Sequence, residues 1–135
     1  VAAPRSMAEL RAAAWGMRLP LRPKGPNDSI EALLVADRAA ERAGATDSRI
    51  RILGKLMLSN GGADVIQDSA FRLARLQAGG GRTDLALATI AQGLQQPGGT
   101  GQRRAALYAQ QGEILELRGD IGGAADSYRR AVSAR

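Results

Sequence analysis

Hydrophobic positions in this chain recur every three or four residues, in runs separated by glycine-rich breaks. Ile50, Leu53 and Met57 share one face of a run, Ile66, Ala70, Leu73 and Leu76 another, and Ala86, Ile90 and Leu94 a third. That spacing puts apolar side chains on one side of a helix, and no segment keeps up the alternation of a half-buried strand. The breaks are RAGATD (42–47), SNGGAD (59–64), AGGGRTD (78–84), QPGGTGQ (96–102) and Arg118-Gly119-Asp120. Glycine just past a periodic run is the expected helix stop. Two further starts come from reciprocal caps, Ser6 with Glu9 and Asp28 with Glu31, which predict helices near 7–18 and 29–43. Between them LPLRPKGP (19–26) holds three prolines and reads as a stiff, extended connector. Its P-x-x-P spacing also suits an SH3-type groove, the less economical reading.

The breaks are periodic. Gly44, Gly81 and Gly119 recur at intervals of 37 and 38 residues, and a fixed period in this range signals stacked helix–turn–helix units. One such unit cannot bury its apolar face alone, whereas a stack makes a continuous core. The expected fold is therefore all-α: a solenoid of antiparallel helix pairs. Its expected parts are an N-terminal helix with the proline-rich linker (1–26), a degenerate pair (27–62), a clearer repeat (63–100) and the best-formed repeat (101–135). In this scheme Gly119-Asp120 is the turn of the last pair, with the glycine ending one helix and Asp120 capping the next. That use of Arg-Gly-Asp is favoured over an adhesion loop, which needs a protruding segment.

Composition narrows the chemistry. The 135 residues are 44 % hydrophobic but only 3 % aromatic, which suits close-packed Ala- and Leu-rich helices. Cysteine and histidine are both absent, so disulfides, thiolate metal sites and the commonest general base are excluded, and no cofactor or metal is expected. Glu113 and Glu116 lie three residues apart on one helix and could pair as carboxylates; an acidic surface explains them more simply. AGGGRTD and QPGGTGQRR lack the G-K-[ST] ending of a phosphate loop. No enzyme is expected. The net charge of +6 is almost all arginine and is interspersed with acids, so a nucleic-acid role is disfavoured. No apolar run approaches the ~20 residues that span a bilayer, so membrane insertion of this segment is not expected.

The last unit resembles the tetratricopeptide repeat family. Tyr108, Gly112 and Leu115 stand at its aromatic, small and large positions, and Ala124, Tyr128 and Ala131 continue the pattern across the turn; Gln111 replaces the usual leucine. The preceding unit keeps Ala70, Leu73, Ala74, Ala86, Ile90 and Gly93, with Pro97 near the closing proline. The earliest keeps Leu33, Ala36, Ala40, Leu53 and Leu56, but Asp37 and Arg49 fill positions that are usually small. Ala8, Ala12, Trp15 and Pro20 look like half of an upstream repeat. The spacing exceeds the family's period of about 34 residues, implying longer connections between units.

The resemblance implies a non-catalytic interaction module whose first helices line a concave groove for an extended peptide or a partner helix. By position, the groove residues are Leu34, Arg38 and Glu41 from the first pair. Asp68, Phe71, Arg72 and Arg75 come from the second, and Gln110, Glu113 and Glu116 from the third. Such a groove is expected to be basic in its middle and acidic toward its C-terminal end. The lysine and asparagine of the family's carboxylate-clamp subclass are missing. Two alternatives stay open: a periplasmic segment of a bacterial envelope machine for cellulose-type polysaccharide secretion or pilus assembly, and an RNA-binding solenoid. The compartment is not determined. Because Val1 opens the chain and nothing after Arg135 caps the last helix, the expectation is a segment of a longer repeat protein whose ends stack on other copies.

Overall fold

The computed structural model describes residues 30–135; the expected helix at 7–18, the proline-rich connector and the Asp28 cap lie outside them. Six helices follow in order: α1 (Ile30–Arg42), α2 (Thr46–Met57), α3 (Gly62–Gly79), α4 (Thr83–Gln95), α5 (Gly101–Leu117) and α6 (Ile121–Ala134). No strand occurs among the described residues. Each helix packs on its successor, and α3 also packs directly on α5.

The three periodic glycines make one turn three times. Gly44, Gly81 and Gly119 have φ of 69°, 81° and 82°, a left-handed conformation that side-chain-bearing residues adopt only with strain. Each glycine N–H donates back to the carbonyl three residues earlier (Glu41, Ala78 and Glu116). The next residue's N–H donates five residues back, from Ala45 to Ala40, Arg82 to Gln77 and Asp120 to Leu115, at 2.8–2.9 Å. This paired closure satisfies carbonyls that the helix end leaves open. After two of the turns a Thr-Asp step begins the next helix, and the carboxylates of Asp47 and Asp84 suit its positive end.

Arg-Gly-Asp is consumed by this device. Arg118 pairs with Asp84 of α4, Gly119 takes the left-handed turn, and the Asp120 carboxylate accepts from the Gly123 N–H at 3.0 Å. The break before α5 ends on a cap that the sequence reading did not assign: the Thr100 hydroxyl accepts from the Arg103 N–H at 3.1 Å.

Inside the pairs, the crossing point is solved in two ways. In the last pair Gly112 is buried against the Tyr128 ring, and a β-carbon there would lie 2.6 Å from the ring's Cε1. Ala124 is also buried. Counting from the turn glycines, the same places hold Ala74 and Ala86 in the middle pair, both fully buried. In the first pair they hold Asp37 and Arg49, and these form an ion pair. Arg49 donates through Nε and Nη2 to the two carboxylate oxygens at 3.0 and 3.3 Å. Asp37 is 2 % exposed, and its hydrogen bond holds the Arg49 guanidinium above its ordinary pKa. A two-pronged charge pair thus stands where the other pairs use small side chains.

Hydroxyl–amide bridges add to the later pairs: Thr89 donates to Gln77 at 2.7 Å and Ser127 to Gln111 at 2.9 Å. Gln111, the departure from leucine, is thereby a hydrogen-bond partner across the pair. The apolar core runs through Leu53, Leu56, Leu73, Ile90, Leu107 and Ile114. At its centre Gly93 lets α4 approach its neighbours: a β-carbon there would meet Ala70 Cβ at 2.7 Å and Leu107 Cδ1 at 3.3 Å.

Gly112→Leu and Ala124→Leu should each overpack the last crossing and cost roughly 1–3 kcal/mol. Thermal melts check this; an unchanged midpoint for both variants contradicts the register described here.

Candidate functional site

Phe71 organises the surface formed where α3 meets α1 and α5. It is half-buried, its inner side packed against the core, and it lines three clefts. One, of about 330 Å³, runs toward α1 with Glu41, Arg49, Arg72 and Arg75. A second, of about 420 Å³, is flanked by Gln67, Asp68, Thr100, Arg103 and Ala106. The third, also about 420 Å³, is floored by Ala78, Ala106, Ala109, Ile114 and Leu117, with Arg75 and Glu113 among its walls. α5 contributes Ala106 and Ala109, two small side chains one turn apart, and these leave the space beside the ring.

Ion pairs cross this surface. Asp37 of α1 also reaches Arg72 of α3 at 3.5 Å. Arg72 in turn contacts Asp68, one turn earlier on its own helix, at 3.1 Å. Asp68 reaches Arg103 of α5 at 3.5 Å, and Arg103 contacts Asp64 at 3.6 Å. The series starts at Glu41–Arg49 (3.4 Å) and links α1, α2, α3 and α5. Its outer members are part-exposed and contribute little each; the buried Asp37 is the member whose partners matter.

The expected groove residues are therefore brought together only in part. Glu41, Asp68, Phe71, Arg72, Arg75, Gln110 and Glu113 line the Phe71 clefts. Leu34 instead packs against the core. Arg38 is exposed and lines none of the three. Glu116 accepts a hydrogen bond from the Tyr128 hydroxyl, which raises the phenol to about 12, and it too lies outside these clefts. The basic middle is less basic than its arginine count, because Arg72 is shared between Asp37 and Asp68. Arg75 lines these clefts without an ion-pair partner among the described residues.

Two glutamines join the surface for reasons the sequence does not advertise. Gln110 is buried and donates to the Phe71 carbonyl at 2.9 Å, stitching α5 to α3. Gln67 donates to the carbonyls of Gln96 and Gly98 at 3.5 and 3.3 Å, holding the loop before α5. Each leaves its side-chain oxygen buried without a protein partner. The loop beside Gln67 uses Gly99 at a left-handed φ of 85°, a conformation that side-chain-bearing residues adopt only with strain. Gln67 carried no recognisable signal; its contacts are made with residues about thirty positions away.

No group of three acidic side chains suited to a metal ion occurs among the described residues, and no helix there is long and apolar enough to cross a membrane. Compared with known proteins, the chain matches no family model and no curated sequence.

Proposed function

We propose that the helices stack as antiparallel pairs in a right-handed, tetratricopeptide-like solenoid, and that the surface around Phe71 binds an extended peptide or helix of a partner protein. The recurrent turn at Gly44, Gly81 and Gly119 supports the repeat reading. The single observation that carries the binding reading is the place of Phe71: one half-buried aromatic ring is common to three clefts spanning α1, α3 and α5. An aromatic ring with small neighbours is the usual form of an interface anchor site. The third cleft adds polarity, with Arg75 and Glu113 on a floor of small and aliphatic side chains. The module acts by binding, without catalysis. An RNA-binding role is the weaker reading, because Arg49, Arg72, Arg103, Arg118 and Arg129 are each held by a carboxylate.

Selection of random peptides displayed on phage tests the proposal. Peptides with an apolar anchor residue should be enriched on the full chain, and Phe71→Ala should weaken them at least about tenfold. Enriched peptides that bind Phe71→Ala with unchanged affinity contradict it.

A further inference from the structure

A separate cleft, of about 930 Å³, lies where α2, the end of α3 and the start of α4 meet. Its lining includes Ile50, Leu76 and Leu85 together with Arg51, Arg75 and Arg82. Leu85 is 48 % exposed, so part of this aliphatic lining is open to a ligand. The three arginines share a property that separates them from the paired arginines of the Phe71 surface. None has a carboxylate within ion-pair distance among the described residues, and Arg51 makes only a 3.3 Å contact to the Ser48 hydroxyl. Asp47 is the single acidic residue in the lining.

We infer that this cleft is a second docking surface, whose occupant is an acidic segment of a partner protein carrying aliphatic side chains. Charge complementarity selects the acidic character, because three guanidinium groups border one depression. The aliphatic floor selects the rest: leucine or isoleucine side chains bury against Ile50, Leu76 and Leu85 while flanking carboxylates meet the arginines in bidentate pairs. A nucleic-acid strand fits less well. No aromatic side chain lines the cleft to stack a base, and Asp47 opposes a continuous phosphate chain. The inference stands independently of the Phe71 groove, although Arg75 borders both surfaces.

Fluorescence anisotropy on the full chain tests it, with a fluorescein-labelled dodecapeptide of glutamate and leucine as probe. Its glutamine-for-glutamate counterpart and a single-stranded RNA oligomer of about 20 nucleotides serve as controls. The acidic peptide should bind, and the double reversal Arg51→Glu/Arg82→Glu should weaken it at least about tenfold. The milder pair Arg51→Ala/Arg82→Ala should act in the same direction while keeping the wild-type circular dichroism. Arg38→Glu, away from the cleft, should leave binding unchanged. Three results overturn the inference: equal binding by the glutamine peptide, equal binding by both double variants, or RNA as the tighter ligand lost on the same substitutions. Self-association of the wild type that the double reversal abolishes also overturns it, by making a second copy the occupant.

Discussion

Arg49→Ala should destabilise the protein by about 3–5 kcal/mol, the cost of leaving a buried carboxylate without its main partner. Asp37 is 2 % exposed, and without Arg49 it keeps, among the described residues, only the longer contact to Arg72. Asp37→Ala should also destabilise, because Arg49 is itself largely covered, with 12 % of its side chain exposed. The informative variant is Asp37→Ala/Arg49→Ala. It installs at the first crossing the Ala–Ala solution that the middle pair already uses at Ala74 and Ala86. The double variant should therefore lose clearly less than the sum of the two single variants. Urea denaturation of the four proteins measures this, and strictly additive losses would show that the two side chains do not act as a pair.

Leu107→Ala should cost about 2–5 kcal/mol, in the range for emptying a fully buried leucine. The side chain is completely covered and sits against Gly93, where α5 meets α3 and α4. Little can collapse into the space, since Ala70 and Gly93 are already at contact limits. If the units stack as proposed and touch only their neighbours, weakening one junction also lowers cooperativity. The variant should lose α5 and α6 before the rest, seen as early proteolysis within 101–135 at denaturant levels where α2–α4 stay protected. A single, unbroken transition with a loss below about 1 kcal/mol would contradict this account of the core.

The helices and the glycine turns between them were legible in the sequence because their signals are local. A left-handed glycine and a change of apolar register each need only a few neighbouring residues, and the 37- and 38-residue intervals then repeat them. The crossing positions were legible for the same reason: Gly112 and Ala124 are read from their own helix and turn. Asp37 and Arg49 registered only as departures from small residues. Their opposite charges at facing positions were the available signal, and counting both from Gly44 brings them together.

The clefts around Phe71 were half legible. Register places Phe71 and Arg75 on one side of α3, where both line the same clefts, but it does not fix how far each helix rotates against its neighbours. Leu34 consequently sinks into the core, and Glu116 turns to Tyr128 of α6. The neutralisation of Arg72 was not readable at all, because its buried partner lies 35 residues away on α1. The same holds for the amides of Gln67 and Gln110, whose partners are backbone carbonyls of other segments.

Phe71 is the proposed anchor of a peptide surface made by α3 and α5. Backbone amide chemical-shift mapping with a display-selected peptide addresses that claim residue by residue. The largest shifts should fall on Phe71, Arg75, Ala106 and Ala109, and they should vanish in Phe71→Ala while the rest of the spectrum is preserved. Shifts confined to α2, α4 and α6, or retained in full by Phe71→Ala, would contradict it.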